Sequence, residues 1–166
     1  MSSNNVPYNL RDRQWDVRVN VQTDEYLQQV LDGIRSEHAK GRFKYILVGG
    51  LEIGTKPTQD DYQTRHIHIA AIYNDPIAKS ALLKNWNICI GNGYYLVPRN
   101  RNLPYSGWRS HHIKEHSKID TTKAILFEEG ELPHDIGEKR AITKRSETEK
   151  KQTTNEILKK MRPQLS

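Results

Sequence analysis

The fold class this sequence predicts is α+β, an antiparallel sheet with flanking helices followed by a charged C-terminal tail. Three observations carry that expectation. Trp15–Asn20 (WDVRVN) alternates large or β-branched residues with polar ones, the period of a strand buried on one face. Leu27, Val30, Leu31 and Ile34 recur at helical spacing. Two dense β-forming runs, Phe43–Glu52 (FKYILVGGLE) and Arg65–Tyr73 (RHIHIAAIY), are joined by a short polar segment, which favours an antiparallel pair.

Taken in order, the first strand is expected at 15–20. A helix follows, with Thr23 able to cap it, Asp24 and Glu25 in its first turn and Gly41 as a stop after Lys40. The two glycines of the 43–52 strand suggest a bulge or a close backbone approach, and 55–64 reads as a loop. After the 65–73 strand, Asp75 is expected to cap a short helix through Trp86, with Pro76 in its first position. A strand near Gly93–Val97, a helix from about Pro104 to Lys118 and an edge strand at Ala124–Phe127 complete a domain spanning 1–135. Beyond it, 136–166 is rich in charge and poor in apolar residues, a linker or tail in which a helix around Ile157, Leu158 and Met161 would need a partner surface.

Composition narrows the function classes. With 26 Lys and Arg against 20 Asp and Glu, the net charge of +6 favours a polyanionic partner. Cys89 is the single cysteine, so neither a disulfide framework nor a cysteine-based zinc site is expected, which fits a reducing, intracellular setting. No apolar stretch is long enough to span a bilayer, and no membrane partner is expected. The chain also lacks a phosphate-binding P-loop, so no helicase activity is expected of it.

The chemistry centres on His66 and His68. Alternate strand residues share a face, so two imidazoles converge on one side while Ile67 and Ile69 fill the other. A carboxylate from the neighbouring strand would complete a facial metal site with open positions, and Glu52 is the natural candidate. Such a donor set suits Mn²⁺ or Mg²⁺, and Zn²⁺ would also bind. A metal with open positions can polarise a phosphodiester.

HIHIA at His66–Ala70, the preceding strand with Glu52, a loosely matching WDVRVN and the phrase ILFEEGELP at Ile125–Pro133 together resemble the N-terminal HUH endonuclease domain of the replication-initiator (Rep) proteins of circular single-stranded DNA viruses. The resemblance covers roughly Trp15–Pro133. It implies a central antiparallel sheet of about five strands, a metal held by Glu52, His66 and His68, and nicking of single-stranded origin DNA to start rolling-circle replication. It also implies work inside a host cell, in the nucleus if the virus is eukaryotic, and self-association or a helicase domain in the full-length protein.

In that family a helix carries Tyr-x-x-Lys, whose tyrosine attacks the phosphodiester and whose lysine assists. The best match here is His111-His112-Ile113-Lys114, which aligns Lys114 with the lysine and His111 with the tyrosine. Three readings stay open: His111 is itself the nucleophile; Tyr105, or less readily Tyr94 or Tyr95, supplies the oxygen; or the domain binds DNA and metal without cleaving it. His112 and His116, at i and i+4, have a spacing that can bind metal but also suits an exposed pair. Arg18, Tyr94, Arg99, Arg101, Tyr105, Arg109 and Lys118 are the expected nucleic-acid contacts, cations for phosphates interleaved with flat faces for bases. Arg11 and Arg13 are further candidates.

Overall fold

In the computed structural model the alternation at Trp15–Asn20 is the inner half of a ten-residue strand, β1 (Arg11–Asn20). The structure describes residues 6–55, 57–58, 63–114 and 118–135; the expected tail at 136–166, its helix and part of the 55–64 loop lie outside these. The chain divides into two units, 1–132 and 133–166, and the fold below belongs to the first.

The order of elements is β1, α1 (Asp24–Ala39), β2 (Phe43–Gly49), β3 (Glu52–Ile53), β4 (Arg65–Ala78), α2 (Lys79–Asn85), β5 (Tyr94–Pro98), α3 (Tyr105–Ile113) and β6 (Ile125–Gly130). All strand pairings are antiparallel, in the order β5-β1-β4-β2-β6, with β3 added to the start of β4. This is an α+β fold with a central antiparallel sheet and three flanking helices. Among the described residues no helix is long and apolar enough to cross a membrane.

The two sheet faces have different fates. Trp15, Val17, Val19, Ile46, Val48, Ile67 and Ile69 point to one side and are buried beneath Val30, Leu31 and Ile34 of α1 and Leu82, Leu83 and Trp86 of the α2 segment. Each of these large side chains contributes about 1.5–3 kcal/mol by leaving water. The helices sit close together, because a Cβ on Gly33 of α1 would lie only 2.6 Å from the Asn85 carbonyl. On the opposite face α3 lays Trp108, with Tyr105 and Ile113, over Tyr45, Leu47, Ala70 and Ile72. That smaller cluster leaves His66, His68 and Arg18 beyond its edge.

α1 starts as expected: the Thr23 hydroxyl accepts from the Tyr26 N–H, and Gly41 follows the helix with φ +71°. Three boundaries differ. Asp75 and Pro76 do not open a helix but belong to β4, because Arg11 and Asp12 pair with Ala78 and Ile77 and draw the strand onward. Pro76 falls in the irregularity between the Asp12–Ile77 and Gln14–Ile72 pairs, where its missing N–H breaks no ladder bond. The N–H groups of Lys79 and Ser80, at the start of α2, instead find the Leu10 and Tyr8 carbonyls.

The expected continuous strand 43–52 is two strands separated at Gly50 and Leu51. A Cβ on Gly49 would meet the His112 carbonyl at 2.5 Å and one on Gly50 the Lys123 carbonyl at 1.9 Å, so the pair marks a close backbone approach. Thirdly, α3 ends at Ile113 rather than Lys118: Lys114 turns to extended backbone (φ −57°, ψ 146°), and Lys118 bridges to Glu52 like an added strand residue.

Candidate metal centre

The register of β3 against β4 places Glu52 directly opposite His66, and the strand period puts His68 on the same face two residues on. The ligand atoms of Glu52, His66 and His68 all lie within 4.8 Å of one another. Glu52 Oε1 is 3.9 Å from His66 Nε2, and Oε2 is 4.0 Å from His68 Nε2. The two imidazole rings stand edge to face, 5.1 Å apart.

Two features fit this donor set to a cation. The His66 Nδ1 lies 3.1 Å from the Thr64 carbonyl, which can only accept. Nδ1 therefore carries a proton, which leaves Nε2, facing Glu52, as the nitrogen able to ligate, the arrangement seen where a second hydrogen bond orients a ligating histidine. At His68, burial pushes the pKa below the ordinary imidazole value, and His66, His112 and Lys114 add to this against the opposing pull of Glu52. A neutral imidazole is the form that ligates.

Glu52 is 2% exposed and needs a counter-charge. It comes from Lys118, whose fully buried Nζ donates to Glu52 Oε2 at 2.7 Å and to the His112 carbonyl at 3.0 Å. The backbone holds this contact in place: Ile119 N–H donates to the Leu51 carbonyl and Gly50 N–H to that of Ala124.

Above the sheet, the last turn of α3 carries the two other histidines. His112 is buried, with Nδ1 2.8 Å from the Trp108 carbonyl, Nε2 3.4 Å from Asp16 Oδ1 and its ring 5.8 Å from that of His68. Burial alone would raise the pKa of Asp16, but contacts with His112 and Trp108 outweigh it and hold the carboxyl below its usual value. His111 is exposed, its ring 6.1 Å from that of His68. Its pKa is lowered by partial burial, by Lys114 and by His112.

No model of a protein family matches this chain, and no curated protein matches it.

The structure brings Glu52, His66, His68 and His111 together, with Lys114 at the end of α3 near enough to oppose protonation of His68 and His111. The expected nucleic-acid contacts fare differently. Three of them are buried. Tyr94 faces the α1 side and is a core residue. Arg99 is 5% exposed, stacks 3.8 Å over the Tyr105 ring and donates to Gln14 and to the Leu103 carbonyl. Lys118 belongs to the Glu52 cluster.

Arg101 and Arg109 are more open but engaged within the fold, Arg101 with Asp12 at 2.7 Å and Arg109 in a two-point pair with Glu128. The Tyr105 hydroxyl accepts from Gln14, whose strand partner is Ile72, four residues along β4 from His68. Arg18 is half-buried opposite His68 on the site face, and Tyr95, exposed on β5, lies opposite Arg18. His116 lies outside the described residues.

Sequence reasoning missed the places of Lys118, Asp16 and the Thr64 carbonyl. The Asp120-Thr121-Thr122 turn, in which Asp120 accepts from the Thr122 N–H and hydroxyl, was the available signal that a helix could not run far past Lys118. A carbonyl partner leaves no trace in a sequence.

Proposed function

We propose that this domain binds a divalent cation, Mn²⁺ or Mg²⁺, at Glu52, His66 and His68, and uses it to nick single-stranded DNA as a replication-initiator endonuclease. The observation that carries the reading is the ligand cluster itself, with His66 oriented by Thr64 and Glu52 held by a buried lysine. The ion would supply charge stabilisation at the scissile phosphate. The chain's own residues do the rest: His66 and His68 present their Nε2 atoms, Lys118 fixes the Glu52 carboxylate, and Lys114 adds positive charge beside the site. Arg18 and Tyr95, opposite one another on neighbouring strands, would meet a phosphate and an unstacked base. In a virus of eukaryotes such an initiator would act in the host nucleus.

Lys118 is a better candidate than Lys114 for the assisting lysine, because it touches a ligand carboxylate. Counting Tyr-x-x-Lys back from Lys118 reaches Glu115, which lies outside the described residues; counting back from Lys114 reaches His111. Neither register holds a tyrosine. That observation favours a second reading, a DNA-binding module that keeps the metal site but does not cleave. A labelled origin-type hairpin with Mn²⁺ separates the two. Metal-dependent cleavage lost in His68→Ala supports the endonuclease, whereas binding without cleavage supports the silent module.

A further inference from the structure

We infer that Asp16 and His112 form a second metal site, one that takes a tetrahedral Zn²⁺ ion, beside the Glu52, His66 and His68 cluster. The inference does not rest on the endonuclease reading.

The site is built where α3 crosses β1. Asp16 pairs with Ala70, two residues along β4 from His68, and so stands on the same sheet face as His68. Trp108 and His112, one helical turn apart, share the side of α3 that packs against that face. Both are 1% exposed, and Trp108 Nε1 and His112 Nε2 are buried without a hydrogen bond. A buried polar atom left without a partner is costly, and native folds keep one where a water, an ion or a chemical role completes it.

His112 is already oriented as a ligand. Its Nδ1 lies 2.8 Å from the Trp108 carbonyl, which can only accept, so Nδ1 carries a proton and Nε2 is the nitrogen able to ligate. This repeats the arrangement of His66 with the Thr64 carbonyl.

Nε2 faces Asp16 Oδ1 at 3.4 Å. A charge-assisted hydrogen bond would be shorter, at about 2.7–2.9 Å. Two ligands bound at about 2.1 Å to a tetrahedral ion stand about 3.4 Å apart. Adjacent ligands of an octahedral ion such as Mn²⁺ stand only about 3.0 Å apart at the same bond length. Imidazole and carboxylate are both ligands that Zn²⁺ accepts. The Asp16 side chain is 36% exposed, which gives the ion a path from solvent and lets water fill its remaining positions. The His68 ring separates the two sites, 5.1 Å from the His66 ring and 5.8 Å from that of His112.

The test counts Zn²⁺ bound to the full chain, by calorimetric titration and by elemental analysis. Asp16→Asn keeps the size of a partly exposed side chain and removes its charge; it should bind one equivalent fewer than the wild type. The His66→Ala/His68→Ala double variant should keep one equivalent, and adding Asp16→Asn should remove it. Co²⁺ on the double variant should give the intense visible bands of a tetrahedral site. Equal zinc counts for the wild type and a folded Asp16→Asn overturn the inference, as does a folded double variant that binds no zinc or keeps it after Asp16→Asn. Failure of the wild type to bind Mn²⁺ bears on the Glu52 cluster alone and leaves the second site standing.

Discussion

Replacing Lys118 by methionine removes one charge and keeps the stem, so it isolates the ion pair with Glu52. Both side chains are almost fully buried, at 0% and 2% exposure, and lie 2.7 Å apart. Taking away one partner of such a pair leaves a buried charge uncompensated, at a cost of about 3–5 kcal/mol. The His112 carbonyl loses a donor as well. For a chain of this size that corresponds to a fall in melting temperature of roughly 6–20 °C in EDTA.

Adding Mn²⁺ should reverse much of the loss, because the ion then supplies the missing positive charge. An ion at about 100 times its Kd stabilises the folded state by about 2.7 kcal/mol. In the wild type the ammonium competes with the ion for Glu52 Oε2, so Lys118→Met should bind Mn²⁺ at least about tenfold more tightly, a gain of about 1.4 kcal/mol. Thermal melts with and without metal, paired with calorimetric titration, read both effects. A variant that melts within 2 °C of the wild type in EDTA and shows no gain in metal affinity would refute the assignment of Lys118 as the counter-charge of the site.

Other outcomes follow from the same geometry. His68 titrates below 6.5 in the folded chain. Its contribution to metal-free stability is therefore complete above that pH and declines below it by about 1.4 kcal/mol per unit; denaturant melts of His68→Asn between pH 7 and 5 should show a slope smaller by that amount. In Gly50→Ala a Cβ would overlap the Lys123 carbonyl, so the variant should lose about 2–3 kcal/mol in urea unfolding and weaken Mn²⁺ binding as the 118–124 segment is pushed away. Thr23→Ala removes the hydroxyl that caps α1 at 3.1 Å and should cost about 1 kcal/mol without changing metal affinity.

Much of this was legible in the sequence because it depends on period. The alternation at 15–20 and 65–69 assigned faces to Trp15, Val17, His66 and His68, and the spacing of Val30, Leu31 and Ile34 gave α1 its buried side. The members of the Glu52, His66 and His68 cluster could be named because a strand period and one neighbouring strand suffice to gather them. What failed depends on tertiary pairing. Pro76 looked like a helix start until Arg11 and Asp12 drew β4 onward. Lys118 looked like the end of an exposed helix, but the bridge to Glu52 buries it. Arg99 looked like a phosphate contact, yet it is the filling between Gln14, Tyr105 and Trp108. Charge in a sequence does not say whether its partner is a ligand or the fold itself.

The central claim is that Glu52, His66 and His68 hold a divalent cation, and titration of Mn²⁺ followed by the electron paramagnetic resonance signal of the free ion tests it most directly. The account predicts one equivalent bound by the wild type and none by the His66→Ala/His68→Ala double variant, with circular dichroism showing that both are folded. Binding that persists in the folded double variant, or a wild type that leaves the free-ion signal untouched at millimolar Mn²⁺, would contradict it.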